Sequence, residues 1–206
     1  MNIYGQHEKT GLLPQLYINL PLLTDYRLNI KLETRQIFDQ AANNLSLFNE
    51  RSDISTYIIK RIGFNTNFAF GYMFRMQNRE IIQRLSQNAS MLVMKDAYKM
   101  GHRFAMDQTY SSIEPDRYRF RYRFSVERPL RGRTLDANEL FVRIGNEYLY
   151  IWEEYTDIEI RALASLGYQL PNKTKVELGI DYRVDQIFAS DIKQQLYISM
   201  AVFFKK

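Results

Sequence analysis

Cysteine is absent from the 206 residues, which removes structural disulfides, thiolate metal sites and cysteine nucleophiles together. Long apolar runs are missing too. No window approaches the ~18 uncharged apolar residues of a membrane-crossing helix, and the mean hydropathy is negative. Only two histidines occur, His7 and His102, with no His-x-x-x-His pair and no phosphate-cradling glycine-rich loop beside them. Nine Gly and five Pro are too few for the turn clusters that punctuate a soluble sandwich every ~8–12 residues. The start, Met1-Asn2-Ile3-Tyr4-Gly5, lacks the basic and apolar segments of a signal peptide. Either the protein is not exported or the sequence is a mature or engineered form, and the second reading is favoured.

What the chain has instead is alternation. Arg117-Tyr118-Arg119-Phe120-Arg121-Tyr122-Arg123-Phe124-Ser125-Val126-Glu127 keeps a period of two almost without a break. In an extended strand this puts Tyr118, Phe120, Tyr122, Phe124 and Val126 on one face and Arg117, Arg119, Arg121 and Arg123 on the other. Such a run is about twice an average globular strand and matches the ~9–11 tilted residues that cross a bilayer as a β-strand. The hydropathy test does not detect such strands, because lipid-facing residues are diluted one to one by lumen-facing ones.

The same pattern recurs along the chain. Leu16, Ile18, Leu20 and Leu22 share a face; Tyr26, Leu28, Ile30 and Leu32 oppose Arg27, Asn29, Lys31, Glu33 and Arg35. Strands are expected over 56–64, 68–76, 98–106, 139–150, 158–170 and 192–204, and over 79–93 by analogy with its neighbours, although that segment also fits helical spacing. Lys175 to Ile187 alternates cleanly, with Val176, Leu178, Ile180 and Tyr182 against Glu177, Asp181 and Arg183. Phe38 to Asp53 reads as a long loop, and Lys9-Thr10-Gly11 as a turn after a short strand at Asn2–Glu8. Short connections (23–25, 65–67, 95–97, 171–173) mostly alternate with longer ones (38–53, 109–116, 152–157, 188–191).

The fold expected over residues 1–206 is one all-β domain, an antiparallel up-and-down transmembrane β-barrel of about 12 strands, within a range of 10–12. Closure with both termini on one side asks for an even number, which favours counting the strand at Asn2–Glu8. Fifteen Tyr and thirteen Phe suit interfacial girdles, with Tyr26, Tyr118, Tyr148, Tyr168 and Tyr182 near strand ends. In this arrangement the apolar stripes face lipid: Tyr118, Phe120, Tyr122, Phe124, Val176, Leu178, Ile180 and Tyr182. The charged rows face the lumen: Arg27, Lys31, Glu33, Arg35, Arg117, Arg119, Arg121, Arg123, Glu139, Arg143, Glu147, Glu177, Asp181 and Arg183. Their mixed signs are a requirement, since unpaired buried charges are costly.

The rival fold is a soluble sandwich or lipocalin-like barrel that stacks the apolar rows inside around a small apolar ligand. A net charge of +5 could indicate nucleic acid. It does not here, because bases alternate with acids along strands and form no tail.

Leu32-Glu33-Thr34-Arg35, the Arg-Tyr-Arg-Phe-Arg-Tyr-Arg-Phe strand at 117–124, Asn138-Glu139-Leu140-Phe141, and the hairpin from Leu166-Gly167-Tyr168 to Gly179-Ile180-Asp181-Tyr182-Arg183 together carry a resemblance over most of the chain. With these features the sequence resembles an uncharacterised family of small outer-membrane-type barrels, found mainly in Bacteroidota and catalogued as a domain of unknown function. The end, Tyr197 to Phe204, is similar to the aromatic-terminated last strand recognised by the barrel-assembly machinery, with Lys205-Lys206 as a departure. The resemblance implies a bacterial outer-membrane location and no established activity.

No catalytic residue, cofactor or metal site is expected. An outer-membrane lipid hydrolase would need His102 beside Ser86, Ser90 or Ser125, and a lone His among apolar neighbours is more often structural. Asp181 with Asp185 sits among bases, and Glu153 with Glu154 lacks a ligand-spaced loop. The expected partners are membrane lipid or lipopolysaccharide, the assembly machinery and other envelope proteins. The expected role is non-enzymatic: structural, a narrow pore, or a subunit of an envelope complex.

Overall fold

The computed structural model describes residues 7–39, 46–111, 115–188 and 192–205. Among these, eleven strands form one closed sheet, and no helix is long and apolar enough to cross a membrane. The strands are β1 (His7–Leu23), β2 (Tyr26–Asp39), β3 (Ser46–Ile62), β4 (Thr66–Gln77), β5 (Glu80–Lys95), β6 (Tyr98–Tyr110), β7 (Arg117–Pro129), β8 (Glu139–Trp152), β9 (Thr156–Gln169), β10 (Lys175–Asp185) and β11 (Lys193–Lys205). Each pairs with its sequence neighbours, so the order around the wall is the order along the chain.

Eleven is odd, which corrects the even count. Direction alternates from strand to strand, so a ring of eleven must contain one parallel pair, and that pair is β1 with β11, in register from His7↔Lys193 to Asn19↔Lys205. Parallel ladders have slanted bonds and are slightly weaker per residue. The seam also puts the beginning of β1 and the end of β11 at opposite rims, where both termini were expected on one side. Of the short strand expected at Asn2–Glu8, residues 2–6 lie outside the described residues, and His7 and Glu8 open β1 itself.

Lys9-Thr10-Gly11 is strand as well, paired with Gln195, Leu196 and Tyr197. Gly11 is there for close approach, because a Cβ would lie 1.9 Å from the Gln36 carbonyl oxygen. The long loop expected over 38–53 shrinks too, since β2 runs to Asp39 and β3 begins at Ser46. Leu45 lies outside the described residues, and Phe48 is an exposed strand residue. Segment 79–93 is strand β5, and its connection to β4 is only Asn78-Arg79. Both residues have positive φ, 51° and 67°, the demand of a two-residue hairpin turn of primed type. The alternation of connection lengths has a second exception, 130–138, which is long but lies at the rim of tight turns.

Side chains follow the period of two. Exposed Phe104, Phe120, Ile144, Leu178, Ile180 and Ile198 line the outside of the wall, while Asp107, Arg119, Glu147, Arg183 and Tyr197 are buried inside it. The sandwich of inward-stacked aromatic rows is therefore not the fold of this chain. Two glycines let inward aromatic rings lie flat on the wall. Phe141 covers Gly167, and Tyr57 covers Gly71, each directly opposite in register. Tyr148, expected near a strand end, pairs with Tyr122 and Ile160 well inside the sheet.

Candidate functional site: the arginine-lined lumen

The inward rows enclose a cavity of about 520 Å³. Fourteen arginines and lysines but only eight acids line it, with Asp107 buried just behind as a ninth. Subtracting these from the 28 bases and 23 acids of the chain leaves fourteen of each sign elsewhere. The residues that line the cavity, together with Asp107, thus carry five more positive than negative charges.

Pairing follows from strand geometry. Residues two apart on one strand share a face, so Arg161 clasps Glu159 (2.6 and 3.0 Å) and Arg183 clasps Asp181 (2.6 and 3.1 Å), each through Nε and Nη2. Residues directly opposite pair across strands: Arg75 donates twice to Asp53, at 2.8 and 2.7 Å. Such planar forks are the strongest geometry available to a guanidinium and a carboxylate.

Other carboxylates serve several cations. Asp107, fully buried, accepts from Arg119, Arg121 and Ser86 at 2.9, 2.9 and 2.6 Å. Glu147 has Arg103, Arg121, Arg123 and Arg161 within 3.6 Å. Glu127 draws together Arg143, Lys99 and Lys175 from three strands, and Arg143 also reaches Glu177. Arg35 and Arg183 lie 4.9 and 5.2 Å from the ring centre of buried Tyr197, within cation–π range of that one ring. A β-bulge at Arg35/Gln36 opposite Asn49–Arg51 turns Glu50 toward Arg35 (3.6 Å) and Lys9 (2.6 Å).

Of the charged residues expected in the lumen, Lys31, Glu33, Arg35, Arg117, Arg119, Arg121, Arg123, Arg143, Glu147, Glu177, Asp181 and Arg183 line this cavity. Arg27 and Glu139 do not. Each is the first or second residue of its strand, so it sits at the rim: Arg27 donates to Asn67 (3.1 Å) and Glu139 accepts from the Asp136 amide (2.9 Å). The stripes Tyr118, Phe120, Tyr122, Phe124 and Val176, Leu178, Ile180, Tyr182 take the outward register positions of β7 and β10.

The hydrolase candidates do not meet. His102 is on the outward register, its Nδ1 2.9 Å from the Tyr122 hydroxyl and its ring 5.0 Å from that of Phe124. Ser86 is inside on Asp107 and Ser125 lines the lumen, while Ser90 shares the parity of Ser86 on β5. The wall thus separates the imidazole from all three hydroxyls. Arg183 occupies Asp181, Arg117 occupies Glu153 (2.9 and 3.0 Å), and among the described residues no group of three His, Cys, Asp or Glu is placed to hold a metal. The His7 side chain lies outside the described residues.

Residues 11–194 match the model of a family described as "Protein of unknown function (DUF2490)". The chain belongs to that family. No curated protein and no solved structure matches it. In this DUF2490 member the strongest parts of the lumen include residues that sequence patterning passed over. Arg51 and Asp53 were hidden in a stretch read as loop, and Arg84 in the segment of mixed periodicity. Glu159 and Arg161 alternate with Ile158, Ile160 and Ala162, a signal that was available.

Proposed function

We propose that this chain is a non-enzymatic bacterial outer-membrane β-barrel, with lipid around its aromatic and aliphatic outer face and a cross-braced, cationic lumen that makes it a structural barrel or a narrow pore. One observation carries the reading: relative to a water-soluble protein the two faces are inverted. Exposed apolar side chains are unremarkable singly, but a contiguous apolar patch beyond a few hundred Å² marks an interaction surface. Here Leu32, Ile58, Phe70, Met91, Phe104, Phe120, Ile144, Leu166, Leu178 and Ile198 stand, all exposed, on the consecutive strands β2 to β11 around the wall. Lipid tails satisfy such a belt, and closure leaves no unpaired strand edge in the hydrocarbon. The tyrosines Tyr26, Tyr98 and Tyr168 near one rim, and Tyr110, Tyr118 and Trp152 near the other, have amphipathic rings suited to two interfaces. The odd strand count departs from the even-numbered bacterial pattern. It leaves no edge open, which is the requirement that matters to the bilayer.

Trp152 is the only tryptophan and points outward, so it reports directly on its surroundings. In cells, the protein is expected in the membrane fraction after a urea wash; reconstituted in vesicles, Trp152 fluorescence should be quenched by lipids brominated on their acyl chains. Recovery in aqueous extract without detergent, together with Trp152 quenched only by water-soluble acrylamide, overturns the proposal.

A further inference from the structure

The net charge inside the barrel is not evenly spread. On the β7–β10 side each buried arginine has a carboxylate within ion-pair distance, whereas Arg51 of β3 and Arg84 of β5 have none among the described residues. Arg84 is buried and, among the described residues, bonds only the Thr109 hydroxyl (2.8 Å) and, weakly, the Met73 sulfur (3.7 Å). Among the described residues Arg51 makes no side-chain hydrogen bond, and its Nε is buried without a partner, as are the Nε atoms of Arg35 and Arg119. Arg51 also stands directly opposite Arg35, a like charge.

Register brings these groups to one patch of wall. Arg75 faces Asp53 on one side, two residues from Arg51, and Ile82 on the other, two residues from Arg84. Each of the two is thus a diagonal neighbour of Arg75, with Cβ atoms roughly 7 Å apart. Of these three guanidiniums on adjacent strands only Arg75 is paired to Asp53, and all three line the cavity. A buried cation without a counter-charge is costly enough that proteins seldom keep one. Guanidinium forks match tetrahedral oxyanions in charge and in geometry.

We propose that the lumen wall formed by Arg51, Arg75 and Arg84 is a binding site for a small oxyanion of the phosphate class. Arg51 supplies a guanidinium without a carboxylate and Arg84 the Nη2 group that neither Thr109 nor Met73 engages, while Arg75, held by Asp53, fixes the floor between them. The site is a property of the barrel interior, so it holds whether lipid or water surrounds the outside.

The test is calorimetric titration of inorganic phosphate, at constant ionic strength, into the folded full-length chain in detergent micelles. The wild type, the pair Arg51→Gln with Arg84→Gln, and Arg131→Gln in the 130–138 connection are compared, with folding checked by circular dichroism. Saturable binding is expected in the wild type and in Arg131→Gln, weakened at least about tenfold in the pair, which loses two charge-assisted contacts. Should the pair not fold, the wild-type melting temperature decides: phosphate must raise it above its value in chloride of equal ionic strength. Absence of saturable binding, equal affinity in the pair, or equal stabilisation by chloride overturns the site.

Discussion

Arg119 and Phe120 are neighbours in β7, yet Arg119 is 7% exposed inside the barrel and Phe120 is 47% exposed outside it. The inner face is held by direction-dependent contacts, forks and shared carboxylates, so removing one partner strands another. The outer face has only scattered ring contacts and hydrogen bonds within the chain, such as His102 with Tyr122 and Phe104 with Tyr122, so its tolerance depends mainly on what surrounds it. The two faces should therefore respond to mutation in different solvents and by different amounts.

The largest effect is expected inside. Asp107→Ala leaves Arg119 and Arg121 without their common acceptor in a fully buried place, a loss of about 3–5 kcal/mol. Urea unfolding in micelles, followed by circular dichroism, should show the midpoint falling accordingly; an unchanged midpoint would mean that water already compensates the lumen. Next comes the outer face. Ile180→Arg, in the middle of β10, should cost about 2–4 kcal/mol in a bilayer and prevent assembly in cells, as should Tyr122→Asp. In aqueous buffer an added charge on an exposed position is close to silent, so the same stability in vesicles and in water would erase the contrast.

Gly167→Ala comes third, at about 1–3 kcal/mol, because its new Cβ would stand 2.2 Å from the Phe141 ring and force that ring off the wall. Thermal melting of Gly167→Ala beside Phe141→Leu with Gly167→Ala checks this, since the smaller side chain should recover part of the loss. Smallest is Arg131→Asp in the 130–138 connection, expected within ~0.5 kcal/mol of wild type by the same urea titration. A larger loss there would show that the connection packs on the rim.

Much of the wall was legible because the period-two signal is local. Lys175 to Asp185 and Arg117 to Glu127 each reveal two faces without reference to any other residue, and both fall on strands, β10 and β7. What misled was local too. Gly11 looked like a turn, but its missing side chain serves the close approach of β2. Asn78-Arg79 lacks the glycine that usually marks a two-residue turn, and the polar run 46–53 lacks apolar alternation because its bulge shifts the register.

Sequence alone determined that the chain is all-β, where most strands lie and that each has a charged and an apolar face, because alternation needs only the geometry of one extended strand. The tertiary structure decided the rest. Which face is enclosed depends on which way the sheet curls, and the parallel β1–β11 seam depends on the number of strands in the ring. Whether an arginine has a partner depends on register between strands: Arg119 finds Asp107 opposite, whereas Arg51 stands between Arg35 and Gln77. These are properties of closure, and no single strand contains them.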